Sequence, residues 1–401
     1  MAVVTRERVH RGGVDLRLPW CLTDEHHAWR ETVRDFAERE IAPSAFERNV
    51  DARFDASIMA ALGRLGVYGS LLRTSPAEAD PDMRAFCLTI EELARVDSGV
   101  AASTHVQAIT TALFDHLASD GQKHPLLGEM ASGRSFVSFG LTEASGGSDA
   151  GSIATRARRD GDGWVISGSK EFITNSGTPF SRHVILFAAS GEGSGPARPA
   201  VSAFLVPLDA PGVFVGAPYR KLGWRTSDTH PLYLDEVRLP AGALLGEEGT
   251  GYREALRFLT WARLPIAAMA TGLAQGCLEA TLDFVGSRTS FDQPLGAHQG
   301  VGFSVADIAA KTATARLVTY DACYRYDHGL PYEQQAAICK LVASELANQV
   351  AYLATQLHGG YGFVDDSAVT RHYADARILT IGEGTSEIQR LLIARSLGLP
   401  V

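Results

Sequence analysis

The sequence predicts an α+β chain in three parts, with a helical region at each end and a β domain between them. In the first part, apolar residues such as Trp29, Val33 and Phe36 recur at the spacing of a helix. In the middle part, glycine, proline, serine and threonine become dense, and apolar runs such as Val184–Phe187 have the length of strands. In the last part, helical periodicity returns over long stretches. The order of elements is therefore α, then β, then α.

The composition and the spacing of apolar residues change near residues 135 and 247, which divides the chain into three parts. We expect an N-terminal helical domain at 1–135, a middle β domain at 136–247 and a C-terminal helical domain at 248–401. The long periodic runs of the last domain are typical of bundle helices, which commonly pack into oligomers. Pro265 lies inside the first of these runs, and we expect it to kink that helix.

Composition excludes several classes of protein. The 401 residues are 45% apolar and 21% charged, with a net charge of −9, so no basic stripe for nucleic acid is present. No apolar stretch reaches the length of a membrane span, and Met1–Arg17 lacks the apolar run of a signal peptide. The five cysteines are scattered without a CxxC, and the histidines lack ligand spacing, so we expect free buried thiols, no metal and a cytoplasmic location.

Glu383 lies between Gly382 and Gly384, immediately ahead of a predicted helix. Ser386 followed by Gln389 predicts a capping box at the start of that helix. The flanking glycines would let a substrate and a flat cofactor approach the carboxylate closely, as a general base requires. The alternative is an acid at a capping turn, stabilised by the helix dipole.

Two segments of the β domain predict a cofactor site. The glycine-rich loop Thr142–Asp149 follows an apolar run, and its amides and hydroxyls could cradle a pyrophosphate or a flavin edge. In Lys170–Asn175, Phe172 and Thr174 lie two positions apart, hence on one side of a strand. A plain turn and an ordinary strand end are the alternatives. Ser167 and Lys170 match SxxK, but the β context and the missing partner motifs argue against a serine hydrolase.

Taken together, six motifs resemble those of the acyl-CoA dehydrogenase family of flavoproteins, in order along nearly the whole chain. Thr142–Asp149 resembles the TEPxAGSD signature, and Lys170–Asn175 resembles a K-x-[WF]-I-[ST]-N strand. The other matching segments are Lys221–Ser227, Leu234–Pro240, Arg288–Gln299, and the pair Gln356–Gly362 with Glu383–Arg390.

The resemblance implies a helical domain, a β-barrel and a four-helix bundle, assembled as a homotetramer or a dimer, with FAD between barrel and bundle. Residues of the same subunit implied to hold FAD are Phe139, Leu141, Thr142, Gly147, Ser148, Phe172, Thr174, Thr385 and Glu387. Residues implied to reach the FAD of a neighbouring subunit are Arg288, Phe291, Gln299, Gln356 and Gly360. Residues implied to bind the thioester substrate are Ser148, Arg263, Gly382 and Gly384.

In this family, the position of Glu383 is that of the base. It would take the α-proton of an acyl-CoA while a hydride leaves the β-carbon for flavin N5, giving a trans-2-enoyl thioester. The base amide and the ribityl chain of FAD would bind the thioester carbonyl. Electrons would then pass to an electron-transfer flavoprotein. Some relatives carry the base just before the arginine equivalent to Arg263, but that position here is Ala262.

Departures from the family pattern leave the substrate open. Thr260 stands where an aspartate is usual, and Gly382 stands where an aromatic residue often precedes the base. These differences suggest a roomier pocket and keep a second hypothesis open, in which the thioester, acyl or hydroxyacyl, is carried by an acyl carrier protein. A flavin-binding relative without dehydrogenase activity is the alternative of a different class, although the intact Glu383 argues against it.

Overall fold

The computed structural model describes residues 18, 20–72, 81–195 and 198–401. The segment Met1–Arg17, which was expected to lack a signal peptide, lies outside the described residues. Within the described residues, the predicted order of a helical domain, a β domain and a second helical domain is confirmed. No helix in the described part of the chain is both long and apolar enough to span a membrane.

Among its described residues, the N-terminal domain contains six α-helices. They are α1 (Asp24–Phe36), α2 (Ala45–Asp51), α3 (Ala56–Arg64), α4 (Met83–Val96), α5 (Ser98–Leu117) and α6 (Asp120–Ala131). Asp97 both ends α4 and begins α5, because its side chain accepts hydrogen bonds from the Gly99 and Val100 amides. The Asp97 carboxylate also accepts hydrogen bonds from the buried Arg48 and from Thr226, so it joins the N-terminal domain to the β domain.

The middle domain is a mixed eight-stranded sheet. Its strands are β1 (Phe136–Gly140), β2 (Arg156–Asp160), β3 (Gly163–Thr174), β4 (Ser181–Gly195), β5 (Arg198–Pro207), β6 (Val213–Val215), β7 (Thr229–Leu239) and β8 (Leu244–Leu245). They pair in the order β6-β7-β3-β2-β4-β5-β8, with β1 parallel to β4. Side chains from β3 and β7 and from β4 and β5 share one buried core, which includes Trp164, Phe204 and Val237. The middle domain is therefore a β domain with a core of its own.

The C-terminal domain is a bundle of long helices. They are α7 (Gly251–Ser287), α8 (Gln299–Asp327), α9 (Glu333–His358), α10 (Ala368–Leu379) and α11 (Ser386–Ser396), with a short hairpin, β9 (Thr289–Ser290) and β10 (Gln293–Pro294), after α7. α7 runs without a break through Pro265, and the kink expected at that residue stays a prediction. Pro265 is buried within the unbroken buried run Ala262–Cys277, and this packing offsets the hydrogen bond that proline cannot donate.

One hydrophobic core unites the two helical domains, since side chains of α4 and α5 pack with those of α7, α8 and α9. Gly272 of α7 allows the closest approach, because a Cβ there would lie 2.0 Å from the Glu91 carbonyl oxygen of α4. All five cysteines are free and buried, as expected. The C-terminal bundle is thus held rigidly against the N-terminal domain, and the turn that carries Glu383 is attached to that frame.

Candidate active site

The turn between α10 and α11 carries Glu383 in an unusual backbone conformation. Glu383 has φ +53° and Gly384 has φ +87°, so two consecutive residues are left-handed. Side-chain-bearing residues seldom adopt this region. A Cβ on Gly384 would also lie 2.7 Å from the Gln389 side chain. The turn therefore requires glycine at 384 and holds Glu383 in a conformation that the surroundings must enforce.

The helix after this turn begins one residue earlier than predicted, and the predicted capping box of Ser386 and Gln389 is wrong. The N-cap is Thr385, whose hydroxyl accepts a hydrogen bond from the Ile388 amide at 3.3 Å. Thr385 has the extended backbone of an N-cap, whereas Ser386 is already helical and donates to Glu345 at 2.7 Å. The Gln389 amide group instead donates to the carbonyl oxygens of Gly384 at 2.9 Å and Glu383 at 3.3 Å.

The Glu383 carboxyl group is partly enclosed by the protein. The residue as a whole is half-buried, but its Oε2 is enclosed and has no hydrogen-bond partner among the described residues. Burial raises the pKa of Glu383 above its ordinary value of 4.5, and the charges of Lys340 and Arg263 act in the opposite direction. Burying a carboxylate oxygen without a hydrogen-bond partner destabilises the folded state, and such groups cluster at functional sites.

Two cations approach this carboxylate from neighbouring helices. Arg263 of α7 is buried and donates to Thr260 at 3.2 Å. Burial lowers its pKa, while the Glu383 charge raises it. Lys340 of α9 is fully buried, and its Nζ donates to the Gly384 carbonyl oxygen at 2.7 Å. Burial lowers the pKa of Lys340 to about 8.

Sequence reasoning missed Lys340. The signal that could have found it is its position among alanines at helical spacing. Ala336, Ala343 and Ala347 of α9 are all buried, so a lysine on that face must bury its charge and needs a partner.

The predicted flavin-facing residues of the β domain come together at the ends of two strands. The Glu171 amide donates to the Thr142 carbonyl oxygen at 2.9 Å, which joins the glycine-rich loop to β3. Phe139 stacks on Phe258 of α7 with ring centroids 4.0 Å apart, so this strand packs directly against the bundle. Leu141, just before the glycine-rich loop, is buried. In the loop, Thr142 is half-buried, and Gly147 and Ser148 are exposed.

Phe172 presents an aromatic face to the exterior. Its side chain is 64% exposed and is paired with Tyr219 at 4.9 Å. The strand is not regular here, because Phe172 has φ +60° and the ladder shifts register between Lys170 and Ile173. Ile173 is buried, Phe172 is exposed and Thr174 is half-buried. That Phe172 and Thr174 share one side of the strand stays a prediction.

A buried ion pair fixes the glycine-rich loop, and sequence reasoning gave its members no role. The Lys170 ammonium donates to Glu143 Oε1 at 2.7 Å and to the Leu141 carbonyl oxygen at 3.1 Å. The Glu143 carboxylate also accepts the Ala154 and Thr155 amides at 2.7 and 3.0 Å. Burial lowers the pKa of Lys170 to about 8. These contacts fix the start of the glycine-rich loop against β3.

The residues expected to serve a neighbouring subunit lie together at the far end of the bundle. They are all exposed: Arg288, Phe291, Gln299, Gln356 and Gly360. The Arg288 guanidinium lies 5.8 Å from the Tyr361 ring, which brings the two segments together. Gln356 is 16 residues beyond Lys340 on α9, or about 24 Å along the helix axis, so these residues are well separated from Glu383 of the same subunit.

An open groove of about 560 Å³ lies between the segment that joins β6 to β7 and the helices of the C-terminal bundle. It is lined by Leu222, Lys311, Glu345, Asn348, Gln349, Tyr352, Leu353, Tyr373 and Arg377. None of the predicted site residues lines it. The groove adjoins the site through Glu345, which accepts the hydrogen bond from Ser386 at the start of α11.

Comparison with known proteins decides the family. Three acyl-CoA dehydrogenase models match this chain: the N-terminal domain at residues 23–134, the middle domain at 138–237 and the C-terminal domain at 249–398. The chain belongs to the acyl-CoA dehydrogenase family. Among curated relatives, it is 38% identical to a probable acyl-CoA dehydrogenase, YngJ, of Bacillus subtilis, over 94% of this chain and 98% of that one.

Solved structures of acyl-CoA dehydrogenases also match. Butyryl-CoA dehydrogenase from Megasphaera elsdenii matches with a TM-score of 0.89 and 32% identity, covering 94% of this chain and 98% of that one. A glutaryl-CoA dehydrogenase from Mycobacterium smegmatis, solved in complex with FADH2, matches with a TM-score of 0.88 and 30% identity, covering 95% and 96%. The predicted family, fold class and oxidoreductase activity are thereby confirmed.

The acyl-CoA dehydrogenases are FAD flavoproteins, and the residues of this chain fit that cofactor. An exposed aromatic face at Phe172 beside a half-buried hydroxyl at Thr174 matches a flat ring with polar edges. The backbone of the loop at Gly147 is open, so a cofactor can approach it without a side chain in the way.

Proposed function

We propose that this acyl-CoA dehydrogenase removes the α- and β-hydrogens of an acyl-CoA thioester to give the trans-2-enoyl thioester, with Glu383 as the base. The observation that carries the proposal is the Glu383 Oε2, which is enclosed and has no hydrogen-bond partner among the described residues. A base must be ionised yet free to accept a proton, and this one is held in a strained turn beside two cations.

The chain's own residues account for acidification of the substrate. A thioester carbonyl makes its α-carbon acidic, and hydrogen bonds to the carbonyl oxygen stabilise the developing enolate. Among the described residues, the Glu383 amide donates no hydrogen bond, so it is free to serve as one donor. As Glu383 takes the α-proton, the electrons of that bond form the double bond. Bound FAD supplies the acceptor for the hydride that leaves the β-carbon.

The proposal assigns the remaining site residues by their position. Phe139, Leu141, Thr142, Gly147, Ser148, Phe172, Thr174, Thr385 and Glu387 would hold the FAD of their own subunit. The exposed group of Arg288, Phe291, Gln299, Gln356 and Gly360 would hold that of a second copy, which makes a homo-oligomer part of the proposal. Ser148, Arg263, Gly382 and Gly384 would bind the thioester. An electron-transfer flavoprotein is the proposed oxidant of the reduced enzyme. The proposed domain boundaries lie between residues 135 and 136 and between residues 247 and 248.

A thioester on an acyl carrier protein is the second candidate substrate. Gly382 favours it, because a Cβ built there meets only Ile378, at 3.7 Å and beyond, so the space beside the base is open. Thr260 also favours it, because Arg263 donates there to a hydroxyl group and not to the aspartate that is usual in the family. Both features widen the range of acyl groups and carriers that the site could take.

A panel of thioesters tests the proposed reaction. The holoenzyme is incubated with straight and branched acyl-CoAs, with the same acyl groups on a carrier protein, and with an artificial electron acceptor. We expect mass spectrometry to show the loss of two hydrogens from an acyl-CoA. Faster conversion of carrier-bound chains would favour the second candidate, and an unchanged mass for every thioester would contradict both.

Replacing Phe172 by alanine is expected to weaken FAD binding about tenfold, because a stacking face for the ring is lost. The measurement is the dissociation constant of FAD from fluorescence titration of the apoprotein. Phe214→Ala is the matched control, since Phe214 is 59% exposed in the same domain and is assigned no role at the site. Equal affinity of Phe172→Ala and the control would contradict the assignment of Phe172.

The rate of flavin reduction is expected to rise with pH. Burial raises the pKa of Glu383 above 4.5, and only the ionised form accepts the α-proton, so activity appears as pH passes that raised pKa. Stopped-flow traces between pH 5 and 9 check this. A rate that is already maximal at the ordinary pKa of glutamate would contradict the buried base.

A further inference from the structure

A buried ammonium group lies directly beneath the turn that carries Glu383. The Lys340 side chain has no exposed surface, and its Nζ donates to the Gly384 carbonyl oxygen at 2.7 Å. Gln389, also fully buried, donates to that same carbonyl oxygen and to that of Glu383. The two carbonyl groups of the left-handed turn are therefore tied to the protein interior, one of them by a charged donor.

The charge of Lys340 is directed mainly at Glu383. The charged groups that face it are Glu383, Arg263, Glu345 and Glu387. Solvent screens the attraction of the last two acids, because their side chains are 39% and 79% exposed. The Glu383 Oε2 is enclosed, so its attraction to Lys340 is screened least.

Burial of a charged lysine is costly unless the charge is paired and hydrogen-bonded. The hydrogen bond to Gly384 does not by itself require a charge, since Gln389 already supplies a neutral donor to the same oxygen. What the ammonium adds is a positive charge that acts on Glu383 and favours its ionised form. Arg263 acts on Glu383 in the same direction from α7 but shares its guanidinium with Thr260.

We propose that Lys340 is a positioning residue for this reaction: its ammonium group fixes the turn that presents Glu383 and supplies the positive charge that keeps the carboxylate ionised. The inference rests on the proposed role of Glu383 as the base. Lys340 transfers no proton to or from the substrate in this account. It acts through the backbone of Gly384 and through the electric field at Glu383.

The test compares pH profiles of anaerobic flavin reduction in the holoenzyme and its variants. Lys340→Met removes the charge with an apolar side chain of similar length. Lys340→Gln keeps a donor without the charge, and it also serves if the methionine variant fails to fold. Lys123→Met is the matched control, because Lys123 is paired with Asp115 on the N-terminal domain. Glu383→Gln is measured in parallel.

We expect the pH at half-maximal rate to move upward by about one unit in Lys340→Met and Lys340→Gln, because the charge that favours ionised Glu383 is gone. At neutral pH the rate should then fall up to about tenfold and recover as the pH is raised. Lys123→Met should keep the profile of the unmodified chain. A rate that falls by one factor at every pH would indicate only a structural role, and an unshifted profile would likewise overturn the proposal.

Failure of the proposed function would look different. If Glu383→Gln still reduces the flavin at the unmodified rate, the assignment of the base is wrong whatever the Lys340 variants show. If Glu383→Gln is inactive but the Lys340 profiles are unshifted, the base stands and only the inference about Lys340 falls.

Discussion

Replacing Glu383 by glutamine is expected to slow flavin reduction by an acyl-CoA about a thousandfold while FAD stays bound. Glutamine has the size of glutamate but cannot accept the α-proton. The Glu383 Oε2 makes no hydrogen bond to the described residues, so the substitution removes no hydrogen bond of the fold at that atom. The loss should therefore appear in the chemical step and leave the folded protein and its yellow colour unchanged.

The measurement is stopped-flow absorbance of the flavin after anaerobic mixing with substrate. Glu40→Gln is the control, since it makes the same chemical change at an exposed acid of the N-terminal domain. We expect the control to reduce its flavin at the rate of the unmodified chain. If Glu383→Gln also reduced its flavin at that rate, Glu383 could not be the base.

Replacing Arg316 by methionine is expected to have the largest effect on stability. The Arg316 guanidinium donates to Glu91 Oε1 through Nε at 2.9 Å and through Nη2 at 2.8 Å. Tyr320 donates to the other carboxylate oxygen at 2.8 Å, and all three side chains are buried. Removing the arginine leaves an uncompensated buried carboxylate between α4 and α8, at a cost of about 3–5 kcal/mol.

Thermal denaturation followed by circular dichroism measures this effect. We expect the apparent melting temperature to fall by roughly 4–6 °C in Arg316→Met. Arg325→Met on the same helix is the control, because its ion pair with Asp321 is partly exposed and contributes about 1 kcal/mol or less. Equal melting temperatures for the two variants would show that the Glu91 pair does not support the junction of the helical domains.

Much of the fold could be predicted because it depends on periodicity within single segments. The long helices and the short strands follow directly from the spacing of apolar residues. One local expectation failed where the surrounding structure decides. The cap of α11 lies at Thr385, because the two left-handed residues before it set where the helix can begin.

The site could be predicted only in part. Glycines on both sides of Glu383 indicate a special backbone from the sequence, and the turn has one. Lys340 could not be connected to it, because the hydrogen bond to Gly384 joins residues 44 positions apart. The pair of Glu143 and Lys170 was missed for the same reason, since no local pattern states that two charged residues in separate motifs will be buried together.

Anaerobic mixing of the purified holoenzyme with straight-chain acyl-CoAs tests the central claim most directly. The account predicts that the visible absorbance of the oxidised flavin falls on mixing with at least one acyl-CoA, and that Glu383→Gln keeps its oxidised spectrum under the same conditions. A flavin that stays oxidised with every CoA and carrier-protein thioester would contradict the assignment of this chain as an acyl-thioester dehydrogenase.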